Sequence, residues 1–214
     1  STGKLDKIAR QFIMDNCGIP SFKDYMGYPG NICISLNDEV IHGIPDDKRI
    51  IKNGDLISID VGVEKDGYCG DTAHTFIVGG NKKKYQRLIN CGKRALEDAV
   101  KETVAGNRVG DISAAIQKAA EDNGFDVVRD FVGHGVGRSV HEDPQIPNYG
   151  KSGYGLKIKE GYIFALEPMI VADNYRVRVE ADDWTVTTID GGNSVHFEHT
   201  VAVTGSGPRI LSHL

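Results

Sequence analysis

The sequence predicts an α+β protein, with helices grouped in the first two thirds and strands filling most of the rest. Three observations carry this. Apolar residues recur at helical spacing in three stretches before Gly124. An alternating run, Leu56 to Val63, leads into the hairpin signal Asp66-Gly67. From Val127 to about Val203 the chain reads as strand broken by turns.

Taken in order, Leu5, Ile8, Ala9, Phe12 and Ile13 share one helical face, closed by Gly18 and Pro20. Residues 31–42 read as strand with a turn at Asn37-Asp38. In the next strand Ile57, Ile59, Val61 and Val63 lie on one face and Ser58, Asp60 and Gly62 on the other. Gly70 to Val78 returns as its hairpin partner. A long helix follows with Leu88, Cys91, Ala95, Leu96 and Ala99 inward. Asp111 caps the next helix, which carries Ile112, Ala115, Ile116 and Ala119 and ends at Gly124. Turns near Asp173-Asn174 and Gly191-Gly192 divide the strand-rich part. No repeat or linker interrupts the chain, so it reads as one domain.

The 214 residues suffice for one substantial core. A net charge of −5 argues against a large nucleic-acid-binding surface. Lys82, Lys83, Lys84 and Arg87 form a local basic cluster, read as a solvated helix entrance. The four cysteines, Cys17, Cys33, Cys69 and Cys91, form no Cys-x-x-Cys pair, which suits free thiols in a reducing cytoplasm. No signal peptide is evident, and no apolar run is long enough to span a membrane.

If Asp66-Gly67 turns a hairpin, Asp60 and Asp71 lie nearly opposite, within about one residue of register. Taken alone, that pair is better explained as two solvated aspartates beside a turn. Glu167, in the apolar run Tyr162–Ile170, and Glu198, in Val195–Val203, shift the balance. Glutamate is seldom buried without a partner. Two such glutamates, two strand aspartates and a glycine-flanked histidine together are better explained by a metal centre. Mostly oxygen donors suit Mn²⁺, Fe²⁺, Co²⁺ or Zn²⁺. Four acids are many for one ion but suit two that share bridging carboxylates. His134 and His141, seven apart in Gly133–Gln145, would face opposite ways on one regular strand, so they reach one site from different directions. Other chemistries fail on spacing. Arg138 fills the last glycine place of G-x-G-x-x-G, Gln145 replaces the second histidine of H-E-x-x-H, and no serine has the G-x-S-x-G elbow.

At these residues the sequence closely resembles the type I methionine aminopeptidases, metal peptidases of the pita-bread fold. The matching stretches are His42–Pro45, Ser58–Val61, Gly70–Thr72, Gly133–Gly137, His141–Pro144, Glu167–Met169, Asp183–Thr185 and Phe197–Thr200, in the family's order along nearly the whole chain. The resemblance implies a curved antiparallel sheet covered by helices on its outer face. It implies five metal ligands, Asp60, Asp71, His134, Glu167 and Glu198, holding two divalent cations (Co, Mn, Fe or Zn) bridged by Asp71 and Glu198. His42 and His141 would contact the substrate, and Glu167 would shuttle protons. Phe22, Tyr25, Tyr28, Cys33 and Trp184 would form the methionine pocket. Val140 and Phe22 stand where some members carry phenylalanine and cysteine, which bears on the pocket's dimensions. The implied substrate is the N-terminus of nascent proteins with a small second residue, met by a cytoplasmic monomer near the ribosome surface. Family members normally carry a helix upstream of the segment matching Thr2–Asp6, whereas this sequence opens at Ser1, so residues 1–214 read as one catalytic domain lacking that helix.

Two rivals share the fold. Xaa-Pro aminopeptidases and prolidases usually add an N-terminal domain. An inactive peptide- or ribosome-binding module would typically have lost ligands, and all five ligand types are present here. Type II methionine aminopeptidases usually insert a helical segment between the positions of Glu167 and Glu198, where only 30 residues lie here.

Overall fold

The computed structural model describes residues 1–79, 83 and 85–212; of the basic cluster, Lys82 and Lys84 lie outside them. Helix α1 (Thr2–Asp15) leads through β1 (Ile19–Pro20) and a 3₁₀ turn (Tyr25–Gly27) to β2 (Cys33–Leu36) and β3 (Glu39–Ile41). The hairpin β4 (Leu56–Lys65) and β5 (Tyr68–Ile77) precedes helices α2 (Gln86–Glu102) and α3 (Val109–Glu121). Then come β6 (Asp126–Val127), β7 (Val132–Gly135), β8 (Glu142–Pro147), β9 (Ile163–Leu166), β10 (Met169–Val171), β11 (Val177–Val179) and β12 (Val186–Thr188). The chain closes with β13 (Ser194–His196), β14 (His199–Thr204) and β15 (Gly207–Ile210).

Every ladder among the described residues is antiparallel: β1-β4-β2 with β5 on β4, β13-β10-β6, β11-β12-β3, and β15-β14-β9-β7-β8. The helices pack on the outside. α2 and α3 share one apolar core with Phe164 and Leu166 of β9, Ile170 of β10 and Val195 of β13. Helix α1 lays Leu5 and Ala9 over Ile32, Ile34 and Ile57. Its expected apolar face is only partly covered, with Ile8 55% and Phe12 69% exposed.

Two further expectations shift. Helix α3 starts after Arg108, and Asp111 sits in its first turn, accepting the Arg108 backbone N–H at 2.7 Å. An alternating strand ordinarily buries its apolar side. In β4 the polar side, Ser58, Asp60 and Gly62, is buried throughout, while on the apolar side Ile57 is buried and Ile59 and Val61 are half-buried under α1. Both faces of the hairpin are covered, and the deeper one carries the acids.

Gly92 lies mid-helix in α2, where glycine costs about 1 kcal/mol against alanine. A Cβ there would stand 2.6 Å from the Phe197 ring and 2.8 Å from Val195. The notch therefore seats the strand segment just before Glu198. Gly92→Ala is expected to lower stability by about 1–3 kcal/mol despite its better helix propensity. Urea denaturation checks this, and an unchanged or higher midpoint would show the notch is not needed.

Candidate metal centre

Asp66 and Gly67 both adopt positive φ, 54° and 76°, as a two-residue hairpin turn between right-twisted strands requires. The turn fixes the register: Gly62 faces Asp71 and Asp60 faces Ala73. Asp60 and Asp71 are thus two residues out of register, not one or less as the sequence suggests. An even offset keeps both carboxylates on one face, where an offset of one would separate them.

Glu167 and Glu198 sit at strand breaks, not inside strands as expected. β9 ends at Leu166 and β10 begins at Met169, while β13 ends at His196 and β14 begins at His199. Pro168 explains the first break, since it has no N–H for a ladder. The register runs unchanged across both gaps, Leu166 facing His199 and Met169 facing His196. That sets Glu167 level with Glu198.

A seam of threonines joins these breaks to the hairpin. Thr200 Oγ1 accepts the Asp71 N–H at 2.8 Å and donates to the Asp71 carbonyl at 2.7 Å. Thr72 Oγ1 donates to the Glu198 carbonyl at 2.9 Å, and the Glu198 N–H donates to the Ala73 carbonyl at 2.8 Å. Thr75 Oγ1 accepts the His196 N–H at 2.9 Å. Asp71 and Glu198 are brought together from positions far apart in the chain by these bonds.

His134 projects from β7, opposite Ala165 of β9. Its Nδ1 lies 2.8 Å from the Gly135 carbonyl, which can only accept, so Nδ1 carries the proton. Nε2 is left as a lone pair, 3.4 Å from Glu167 Oε1 and 4.0 Å from Asp71 Oδ2. The glycines around it permit close strand approach. A Cβ on Gly133 would stand 2.6 Å from the Ala165 carbonyl, and one on Gly135 would strike the Asp143 carbonyl. His141 lies in the loop before β8, with its ring centroid 4.2 Å from that of His134. The two histidines do reach one place from different segments.

Asp60, Asp71 and Glu198 are buried, and Glu167 is nearly so. Among the described residues none pairs with lysine or arginine. Burial pushes all four carboxyls up: Asp71 to about 7, with Glu167 as the next cause, and Glu167 to about 7, partly opposed by His134. Asp60 and Glu198 are raised well above the usual range by burial and then by Asp71. Asp60 Oδ1, Asp71 Oδ1 and Glu198 Oε1 are buried without a hydrogen-bond partner among the described residues. Donor atoms of Asp71, His134 and Glu198 all lie within 4.8 Å of one another. Buried acids, orphaned oxygens and an imidazole lone pair turned inward fit a divalent cation.

The cluster floors a cavity of about 310 Å³. Phe22, Tyr25, Tyr28, Cys33 and Trp184 line it, as do His42 and His141. Register places Cys33 of β2 directly beside Asp60. Gly62 makes room for Phe22, whose ring would lie 2.5 Å from a Cβ there. Trp184 rides the turn between β11 and β12, held by Asp182, and packs edge-on to Tyr28 at 5.0 Å. His42, at φ 59°, stands edge-on to Phe131 at 5.8 Å. Burial, then the nearby His196, pushes His42 down to about 4, so it is neutral at pH 7. Residues that the sequence reading missed include Ile41, Phe131 and Met26 in the lining, and His196 beside Glu167. His196 was signalled by its place two before Glu198, the same-face spacing of a strand.

An antiparallel sheet with outer helices and a cation-demanding carboxylate cluster under an apolar pocket define a metal-dependent hydrolase of the pita-bread fold. The model of metallopeptidase family M24 matches residues 1–205. A methionine aminopeptidase of Clostridium acetobutylicum is 46% identical over 99% of this chain and 85% of its own length. The crystal structure of a methionine aminopeptidase from Thermotoga maritima superposes with a TM-score of 0.96 at 42% identity, covering 99% of this chain and 85% of that one. A prolidase from Pyrococcus furiosus is more distant, with a TM-score of 0.68 and 26% identity, covering 86% of this chain and 49% of its own. The chain belongs to metallopeptidase family M24 and, within it, to the methionine aminopeptidases.

The raised carboxyls give a signed test. Asp71 and Glu167 titrate near 7 in the folded metal-free chain but near 4 when unfolded. The folded state holds protons that the unfolded state releases. Their contribution to stability is therefore full below about pH 4 and is lost as pH rises through 7. The metal-free protein is expected to melt at a higher temperature at pH 5 than at pH 8, with saturating Mn²⁺ reversing the order. A metal-free melting temperature that climbs from pH 5 to pH 8 would contradict this.

Proposed function

We propose that this chain removes the N-terminal methionine from peptides and nascent proteins whose second residue is small, using two divalent cations. The observation that supports the reading is the register contact between Cys33 and Asp60, which sets an apolar pocket beside the buried carboxylates. Such a pocket suits a thioether side chain. Asp60, Asp71, His134, Glu167 and Glu198 would hold the ions, with Asp71 and Glu198 shared between them. Bound there, Co²⁺, Mn²⁺, Fe²⁺ or Zn²⁺ would lower the pKa of a water and polarise the scissile carbonyl. Glu167 takes the attacking water's proton and passes it to the leaving amine. His141 and neutral His42 donate hydrogen bonds to the charge that develops on the substrate. Phe22, Tyr25, Tyr28 and Trp184 enclose the methionine side chain and exclude water.

The reading takes residues 1–214 as one catalytic unit, acting as a monomer in the cytoplasm on chains emerging at the ribosome surface. No helix among the described residues is long and apolar enough to cross a membrane. The Xaa-Pro reading is less favoured, given the lower identity and partial coverage of the prolidase.

A peptide panel tests the specificity. Met-Gly and Met-Ala N-termini are expected to be cleaved, while equal or faster release from Xaa-Pro or non-Met N-termini would overturn the assignment. The two histidines should fail differently. His134→Ala is expected to weaken binding of one ion, with partial recovery of activity in excess metal. His141→Ala should keep both ions and lose roughly 10²–10³ in turnover, the usual cost of one donor to a developing oxyanion. Calorimetric titration beside kinetics decides; equal losses of metal in both variants would make both histidines ligands.

A further inference from the structure

His196 has no part in the roles given above, yet its placement is tightly specified. It is 2% exposed, and its Nε2 has no hydrogen-bond partner among the described residues. That nitrogen lies 3.5 Å from Glu167 Oε2. The other oxygen of the same carboxylate, Oε1, lies 3.4 Å from His134 Nε2. Glu167 is thus flanked by two imidazoles, one on each oxygen. The two sides differ. His134 lines the cavity with Asp60, Asp71 and Glu198, whereas His196 is absent from the lining and sits behind the carboxylate.

The backbone holds His196 there. Thr75 Oγ1 accepts its N–H at 2.9 Å and donates to its carbonyl at 2.7 Å, and Ser58 Oγ lies 2.7 Å from the same hydroxyl. The next residue, Phe197, is seated in the Gly92 notch of α2. Across the ladder His196 faces Met169, two residues from Glu167, which is the diagonal relation that lets side chains on one face meet.

We propose that His196 is a positioning residue for Glu167: its Nε2–H, 3.5 Å from Oε2 and short of a hydrogen bond as it stands, donates to Oε2 when the carboxylate holds a cation, fixes the carboxylate plane and leaves Oε1 turned toward the metal side. A carboxylate with both oxygens free can swing between binding modes. One held on its far oxygen by a buried donor presents a single oxygen in a single direction. Outer groups of this kind typically change metal affinity or activity by about 10–100-fold. His196 then acts on the reaction only through Glu167. The inference rests on the reading of Glu167 as a metal ligand, and the test separates the two.

Co²⁺ is titrated into metal-free parent, His196→Gln, His196→Leu and Glu167→Gln proteins, read by calorimetry and by visible absorption of the bound ion, with kcat and KM measured alongside. Glutamine can return an N–H donor toward the position of Nε2, and leucine cannot. His196→Leu is expected to bind one ion about 10–100-fold more weakly, with an altered absorption band and a lower kcat at unchanged KM. His196→Gln is expected to restore the parent titration and band. Should leucine prevent folding, His196→Asn, whose amide is too short to reach Oε2, takes its place. If the donor-free variant titrates like the parent while Glu167→Gln loses an ion, the positioning role is overturned and the metal centre stands. If glutamine fails as badly as leucine, the imidazole itself is required, as a ligand or as packing, and the role is again overturned. If Glu167→Gln also titrates like the parent, the ligand reading falls and takes this inference with it.

Discussion

Four buried carboxylates gathered with no lysine or arginine partner among the described residues are the constraint to which the rest of the molecule is fitted. Each is a poor resident of a protein interior, and together they repel. Burial and mutual repulsion hold their protons on, Asp71 and Glu167 to about 7. Divalent cations bound among them would reverse the sign of that energy, which would link metal binding to folding.

The scaffold meets the constraint with rigid parts. A hairpin whose turn sets an even offset puts two aspartates on one face. Two adjacent strands break at the same level and turn a glutamate inward at each break. Threonine hydroxyls bond the hairpin to those breaks where regular ladder pairing stops. Helix α2 backs the arrangement by accepting Phe197 at Gly92, so packing on the outer face reaches the carboxylate cluster through one residue. The pocket is continuous with the cluster because β2 pairs with β4 at Cys33 and Asp60.

Much of this was legible in the sequence, and the parts that were not share a cause. Apolar periodicity located α2 and its inward residues, and Asp66-Gly67 located the hairpin, because both are local signals. The breaks at Glu167 and Glu198 were read as continuous strand. Flanking residues such as Leu166, Met169 and Val195 are buried on both sides of them, and an unbroken apolar run does not disclose where pairing moves from one ladder to another. Nothing local marks the burial of the polar face of β4 either. Ser58, Asp60 and Gly62 are deep only because distant segments cover them. His196 carries one local cue, its place two before Glu198, but the partner that gives it meaning, Glu167, is 29 positions away and meets it only through the β10–β13 register.

The most direct measurement is anomalous scattering from crystals of the protein loaded with Mn²⁺ or Co²⁺. Two peaks are expected roughly 3.5–4 Å apart, the spacing of ions that share bridging carboxylates. Asp71 and Glu198 should lie between them, with His134 on one ion only. A single peak at saturating metal, or peaks away from these five residues, would contradict a two-ion centre built on the hairpin and the paired strand breaks.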